Sequence, residues 1–236
     1  MIVSIKVRYA ESHSIQSLQM VVTAPQKEVR SPTLPYGEQR VVFHHLSWDD
    51  YLAMLAAIGD NRSARLIYDK GKLEITMPLQ AHEFAGEMIA RFVWIVIEEL
   101  GLDMTSMGST TLNYPQLEKG AEPDKGFYIQ NHNLVAGKTV DLAEDPPPDL
   151  VVEIDITHTD IDKPALYAAM GIKEFWRFDG ERLRIYLLVD GAYKEDTISP
   201  TFPQISTEQL YQFLLACKES EMKASRNLRK QIREML

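Results

Sequence analysis

The sequence predicts an α/β protein whose mixed central sheet is flanked by helices, with extra β-hairpins and a C-terminal helix. Three observations support this prediction. A helical pattern at residues 82–100 repeats apolar residues every four positions. An apolar strand at residues 149–155 follows three prolines and leads into a short helix. Short β-like runs separated by turn residues surround both segments. Helices and strands that alternate along the chain are typical of an α/β fold.

Composition narrows the class of protein. The 236 residues are 45% hydrophobic and 25% charged, which is typical of a soluble domain with a sizeable core. No run approaches the roughly 18 apolar residues of a membrane span, and the N-terminus lacks a signal-peptide pattern. The single cysteine, Cys217, excludes a disulfide framework and a cysteine-based zinc site. We therefore expect a cytoplasmic protein with no membrane association. The net charge of -9 argues against sequence-independent nucleic-acid binding.

The first predicted elements are a helix and a β-hairpin. Ser47 can cap the helix, acids occupy its first turn, and Gly59 can end it. Two β-like runs at residues 65–68 and 72–77 follow, joined by the turn residues 69–71. They predict two antiparallel strands.

The helix at residues 82–100 is expected to be well buried against the sheet, and Gly101 marks its end. Glu83, Glu87 and Arg91 form a separate stripe at the same spacing. Such a stripe is either a surface ladder of i,i+4 pairs or a set of acids that faces a site. The ladder is favoured for Arg91, and both alternatives stay open for the two acids.

The rest of the chain is interpreted in sequence order. It predicts a loop or irregular strand (102–122), a strand (124–129), a polar connection (131–148), the acidic strand (149–155), a helix (160–170), two strands (173–178 and 182–189) and a helix from residue 206. The last helix is amphipathic, which is typical of a packing or dimerisation helix, so a homodimer through it is expected.

Two strands share one pattern, in which an aspartate follows a proline and opens an apolar run. Asp124 opens the first strand and Asp149 opens the second. With a period of two, Asp149, Glu153 and Asp155 occupy one face of the second strand. One interpretation is a half-exposed edge strand with a solvated acidic face. The other is a functional site, because charges are rarely buried unless they are paired or bind metal.

A metal site follows if the two strands are neighbours, because Asp124 and Glu153 then converge at one end of the sheet. Carboxylates are hard oxygen ligands that suit Mg²⁺ or Mn²⁺. Such a metal neutralises charge on a phosphate and lowers the pKa of a bound water. A nearby lysine would orient that water or stabilise the leaving charge.

These residues resemble a known pattern. Asp124 followed by the strand DLVVEID at residues 149–155 looks like the metal site of the PD-(D/E)XK nuclease superfamily. The wider run, with Asp162-Lys163, Gly171 and the strand EFWRFD at residues 174–179, resembles the Uma-type family of restriction-endonuclease-like proteins. The resemblance implies a restriction-endonuclease-like αβββαβ core.

The resemblance covers about residues 46–193 and implies three parts of the chain. Residues 1–35 are expected to be a variable arm, in which β-like runs at residues 2–7 and 18–22 are broken by Ser, Pro and charge. Residues 36–205 would form the restriction-endonuclease-like domain, and residues 206–236 the C-terminal amphipathic helix.

The resemblance assigns the main site residues. Asp124 matches the first metal carboxylate and Glu153 the second. The superfamily places a lysine two residues after that glutamate, where this chain has Asp155. In the Uma-type pattern the lysine comes from the following helix, and Lys163 matches it. Asp155 is then an extra ligand, a hydrogen-bond partner of Lys163 or a solvated side chain.

Other residues are weaker candidates. Glu83 or Glu87 matches an early-helix acid that some superfamily members use as an additional ligand. Tyr167 lies one turn after the lysine and either faces the cleft or packs in the core, with the core favoured. His82 and His158 are not expected to be ligands, because nothing in their spacing supports a histidine-rich site.

The expected function is hydrolysis of DNA phosphodiester bonds by a Mg²⁺- or Mn²⁺-dependent endonuclease. The alternative is a catalytically inactive nuclease-fold protein that binds nucleic acid or protein. The net charge and the displaced lysine favour this alternative, whereas the acid pair opposes it. A phosphohydrolase acting on small nucleotides fits the charge, but the chain has no phosphate-loop or dinucleotide motif.

Overall fold

The computed structural model describes residues 39–59, 62–156 and 159–236. The predicted arm at residues 1–35 with its β-like runs, and His158, lie outside these residues. The strands are β1 (Gln39–Phe43), β2 (Arg65–Asp69), β3 (Lys72–Met77), β4 (Thr105–Gly108), β5 (Leu112–Tyr114), β6 (Lys119–Ala121), β7 (Lys125–Tyr128), β8 (Leu150–Ile154), β9 (Glu174–Phe178), β10 (Leu183–Val189) and β11 (Ala192–Asp196). The helices are α1 (Trp48–Ile58), α2 (Gln80–Glu99), α3 (His132–Val135), α4 (Lys163–Ala169) and α5 (Thr207–Met235).

The larger sheet confirms the predicted mixed architecture. Its six strands run in the order β11-β10-β9-β8-β7-β4. β8 and β9 are parallel, and the other neighbours are antiparallel. The order α2, β4, β7, β8, α4, β9 along the chain is the expected αβββαβ core. β8 lies in the interior of this sheet, so the interpretation of a half-exposed edge strand is wrong.

The smaller sheet has the order β1-β3-β2-β6-β5. Its centre is the predicted hairpin, and the turn residues Lys70 and Gly71 both have positive φ, at 44° and 93°. Such turns match the twist of the strands they join. The prediction was incomplete for residues 102–122, which contain β4, β5 and β6. These strands are too short to show a clear period in the sequence, and β4 and β6 pair with strands that are distant along the chain.

Each face of the larger sheet contributes to a different core. Leu150, Val152 and Ile154 of β8 pack with α2 and α5. Val151, between them, packs with α4 and with residues of the smaller sheet, including Ile67. The strand therefore alternates as predicted, but both of its faces are covered. Full coverage is typical of strands next to a parallel neighbour.

Side-chain caps fix the ends of three helices. Ser47 and Ser206 form capping boxes at α1 and α5, which confirms both predicted starts. The helix predicted from residue 160 begins instead at Lys163, because Asp162 is the cap and accepts a hydrogen bond from the Ala165 amide at 3.0 Å. Pro164 follows in the first turn, a position that tolerates proline.

The C-terminal helix packs along α2. Its buried apolar residues include Leu210, Phe213, Leu228 and Ile232. Backbone angles at Ser220 (φ -162°, ψ 104°) interrupt the helix, a break that the sequence pattern did not predict. In the described part of the chain, no helix is sufficiently long and apolar to cross a bilayer.

Candidate active site

The pairing of β7 with β8 brings the two predicted acids together. Lys125 is opposite Val152, so Asp124, one residue before β7, lies across from Glu153. Both residues are about 2% exposed. The Asp124 Oδ2 atom also accepts a hydrogen bond from the Ile154 amide at 2.6 Å, which ties the start of one strand to the end of the other.

Lys163 reaches back over the end of β8 from the first turn of α4. Its Nζ donates to Glu153 Oε2 at 2.6 Å and to Asp155 Oδ1 at 2.5 Å. Of the three alternatives for Asp155, the structure shows the hydrogen-bond partner of Lys163. Asp155 therefore holds the lysine that the first turn of α4 contributes to the site.

Tyr167 is a core tyrosine, as the sequence favoured, and it also contacts Glu153. Its ring is buried and lies 5.4 Å from the ring of Phe175, between centroids. Its hydroxyl donates a hydrogen bond to Glu153 Oε1. Because Lys163 binds the other oxygen, both oxygens of the Glu153 carboxylate are fixed by residues of one short helix.

Two residues that the sequence did not single out as functional contact Asp124. Arg65 Nε of β2 lies 3.0 Å from Oδ1, and His82 Nε2 of α2 lies 3.3 Å from Oδ2. His82 was not expected from the sequence to be a metal ligand, and the structure places it beside the Asp124 carboxylate. Nothing in the local sequence marks Arg65, since its contact depends on how the hairpin packs against the larger sheet.

The two acids at the start of α2 have different surroundings. Glu83 Oε1 lies 3.1 Å from a terminal nitrogen of Arg65, and the Nε atom of the same arginine contacts Asp124. Glu87 pairs with Lys125 and is largely exposed. Arg91 pairs with Glu221 of α5 at 2.7 Å instead of with Glu87, so the predicted surface ladder is wrong for this residue.

Asp149 does not join the acid pair, although it shares a strand face with Glu153. It lies at the opposite end of β8, where its carboxylate accepts hydrogen bonds from the Ile129 and Asn131 amides at 2.7 and 2.9 Å. The Asn131 side chain donates a third at 2.6 Å. Asp149 therefore stabilises the turn after β7.

Burial has a large effect on the protonation of Glu153. Desolvation raises the pKa of Glu153 to about 7, because the neighbouring Asp124 and Asp155 add to this effect and Lys163 offsets it only in part. Burial alone would lower the pKa of Lys163, but the three acids raise it above its usual value. Lys163 is therefore cationic across the physiological range.

The pKa of Asp124 is shifted in the opposite direction from that of Glu153. Burial would raise its pKa, but contact with His82 and the charges of Lys163 and Arg65 hold the pKa below its usual value. Burial and the Glu153 charge raise the pKa of the Tyr167 phenol well above its ordinary range, so the phenol stays a hydrogen-bond donor. The two predicted carboxylates thus differ in how readily they take up a proton.

A cleft of about 610 Å³ lies beside this cluster. It is lined by side chains that also contact the site, Arg65 and Glu83, and by the polar groups of Arg62, Ser63, Ser109, Thr110 and Thr111. Volumes of this size are typical of ligand sites. The cleft borders the site through Arg65, whose Nε contacts Asp124.

The donor chemistry of Asp124 and Glu153 fits a hard divalent cation. Two buried carboxylates at neighbouring strand ends are oxygen ligands of the kind that Mg²⁺ and Mn²⁺ prefer. Within residues 39–59, 62–156 and 159–236, no group of three or more His, Cys, Asp or Glu residues is arranged to hold a metal ion. A metal held here would therefore share the two carboxylates with their present cationic partners and take its other ligands from water or substrate.

Comparison with known proteins supports the nuclease-like fold. The model of the Uma2 family, described as "Putative restriction endonuclease", matches residues 48–217, which is more than half of the chain. A crystal structure of a "putative nuclease belonging to DUF820" from Anabaena variabilis ATCC 29413 is similar in fold, with a TM-score of 0.50 and 15% identity over 72% of this chain and 99% of that chain. No curated protein matches the sequence. The resemblance found in the sequence is confirmed, and the chain belongs to the Uma2 family.

Proposed function

We propose that this protein is a divalent-metal-dependent endonuclease that hydrolyses phosphodiester bonds in DNA. The observation that carries the proposal is the convergence of Asp124, Glu153 and Lys163 at one end of the larger sheet. The sequence separates these residues by up to 39 positions, and no requirement of folding places three ionisable side chains together in a buried site.

Each residue would have a defined task. Asp124 and Glu153 would hold the metal, and the metal would supply an activated water and neutralise phosphate charge. Lys163 keeps the Glu153 carboxylate oriented, and its charge would stabilise a phosphate bound beside the acid pair. Tyr167 holds the second Glu153 oxygen, and Arg65 holds one oxygen of Asp124. The last two act by positioning the carboxylates.

A specific observation favours the alternative, a nuclease-fold protein that binds without cleaving. Every carboxylate oxygen of Asp124 and Glu153 already has a partner among Arg65, His82, Lys163 and Tyr167. Such a network stabilises the site without a metal. The two proposals differ in whether the acid pair binds a cation and whether DNA is cut.

Plasmid nicking with Mg²⁺ or Mn²⁺ separates the two proposals. The wild type should convert supercoiled plasmid to the open-circular form, and Asp124→Asn and Glu153→Gln should reduce the rate at least about 100-fold. Glu195→Gln, an exposed acid on β11, is the matched control and should cut like the wild type. Nicking that persists in both site variants would refute the catalytic proposal. A wild type that binds DNA but never nicks it would favour the binding module.

A homodimer through α5 is the remaining part of the proposal. Most apolar residues of α5 are buried against its own chain, so a dimer would use the exposed Leu215 and Met222. Light scattering after size exclusion, with Leu215→Glu and Met222→Glu, tests this contact. A monomeric wild type at micromolar concentration would contradict it.

A further inference from the structure

The row of side chains that contains the acid pair continues across the larger sheet. In the register of the larger sheet, Glu153 of β8 is opposite Arg177 of β9, and Arg177 is opposite Arg184 of β10. Side chains opposite one another on neighbouring strands share a face. With Asp124 across from Glu153 on the other side, two acids are followed by two arginines in one line.

Arg177 is fixed in position and keeps donors available. Its Nε donates to Asp155 Oδ2 at 2.8 Å, while Asp155 Oδ1 accepts from Lys163 at 2.5 Å. No group in residues 39–59, 62–156 or 159–236 accepts a hydrogen bond from its two terminal nitrogens. The side chain is 31% exposed, so a ligand from solvent can reach it.

Arg184 repeats this arrangement one strand further on. One of its terminal nitrogens donates to Asp179 Oδ2 at 2.9 Å, and the side chain is 34% exposed. Like charges directly opposite on neighbouring strands are destabilising. Each arginine is held by one aspartate, yet each retains further N–H donors on the same face of the sheet.

We propose that Arg177 and Arg184 form a phosphate-binding site for the nucleic-acid backbone next to the acid pair. This inference rests on the proposed function, since it adds the path of the substrate strand across that site. Strands lie about 4.8 Å apart, so the two arginines lie roughly 5 and 10 Å from the position of Glu153. They would therefore hold the phosphates beside the one at the acid pair.

The chemistry of the ligand follows from the side chains. A guanidinium group offers paired donors that match the oxygens of a phosphodiester, and it remains charged at all relevant pH values. A chain with a net charge of -9 cannot rely on its overall field to attract a polyanion. Local arginines whose orientation is set by aspartates provide the contacts that the overall charge does not.

The salt dependence of DNA binding tests this site. Affinity of the wild type, Arg177→Gln and Arg184→Gln for a labelled duplex would be measured by fluorescence anisotropy in EDTA, between 50 and 200 mM salt. Each variant should bind several-fold more weakly and should lower the slope of log affinity against log salt by about 1. Arg91→Gln, on the helix that covers the opposite face, should match the wild type.

Arg184→Gln should fold normally, because its partner Asp179 is partly exposed and also accepts backbone hydrogen bonds. Weaker DNA binding by this variant would therefore report the loss of the arginine and not unfolding. Arg177→Lys should restore most of the slope, since it keeps the charge.

Unchanged slopes in both glutamine variants would overturn the inference, and normal nicking by the wild type would then leave the proposed function intact. Reduced slopes with a wild type that never nicks would support the phosphate site and refute catalysis. A wild type that binds no DNA would overturn both.

Discussion

The two ends of β8 each carry a buried acid, but their surroundings differ. At the first end, Asp149 is satisfied by backbone amides and one asparagine from the neighbouring turn. At the other end, Glu153 is bound by Lys163 and Tyr167 of a different element and lies close to other carboxylates. Local neutral donors are typical of an acid that shapes the backbone. A charged partner from another element, with further carboxylates nearby and a shifted pKa, is typical of an acid that has a chemical task.

Removal of the Lys163 charge should have the largest effect on stability. Lys163→Met leaves Glu153 and Asp155 buried with one cation fewer, and breaking a buried ion pair costs about 3–5 kcal/mol of unfolding free energy. Urea denaturation would measure the loss. The double variant Lys163→Met with Asp155→Asn should recover part of it, because one buried charge is removed. A loss below about 1 kcal/mol would show that the network at this end is weak.

Asp149→Ala should be the next largest effect and should act on stability alone. It leaves two amides and a carboxamide without their acceptor, which costs about 2–4 kcal/mol in total. Urea denaturation would report this loss, while calorimetric affinity for Mn²⁺ should stay within about twofold of the wild type. A large drop in metal affinity would contradict the separation of the two ends.

The pH dependence of stability should distinguish Glu153 from an ordinary carboxylate. Its pKa is raised to about 7 in the folded state from 4.5, so the folded state binds more protons between these values. The contribution of the protonated Glu153 side chain to stability is therefore fully present below about pH 4.5 and is lost as the pH rises through 7. In EDTA, the unfolding free energy of the wild type relative to Glu153→Gln should fall by roughly 3 kcal/mol over this window. A difference that is independent of pH would refute the raised pKa.

Glu87→Gln should have the smallest effect. This acid is exposed and paired with Lys125, and exposed pairs contribute about 0–1 kcal/mol. Both the unfolding free energy and the rate of plasmid nicking should match the wild type closely. A strong decrease in nicking would show that Glu87 takes part in the site, as the family resemblance allowed.

The main features of the fold could be predicted because they depend on local patterns. The hairpin turn at Lys70-Gly71 and the capping serines Ser47 and Ser206 act within a few residues. β5 and β6 were missed, since strands of three residues show no period and β6 pairs with the distant β2.

The candidate site could be predicted only where a motif marks it. Asp124, Glu153 and Lys163 stand at recognisable positions, and the structure brings them together. Arg65 and Arg177 were not predicted, because one depends on the packing of the hairpin and the other on the register of β8 with β9. Long-range register and packing leave no signal in a short stretch of sequence.

The most direct test is calorimetric titration of Mg²⁺ and Mn²⁺ into the metal-free protein at pH 8, where Glu153 is largely ionised. Wild type and Asp149→Asn should bind a divalent cation with equal stoichiometry. Asp124→Asn and Glu153→Gln should show no binding at that site, because each removes a carboxylate that would hold the metal. Absence of binding by the wild type, or equal binding by all four proteins, would contradict the claim that the acid pair is a metal site.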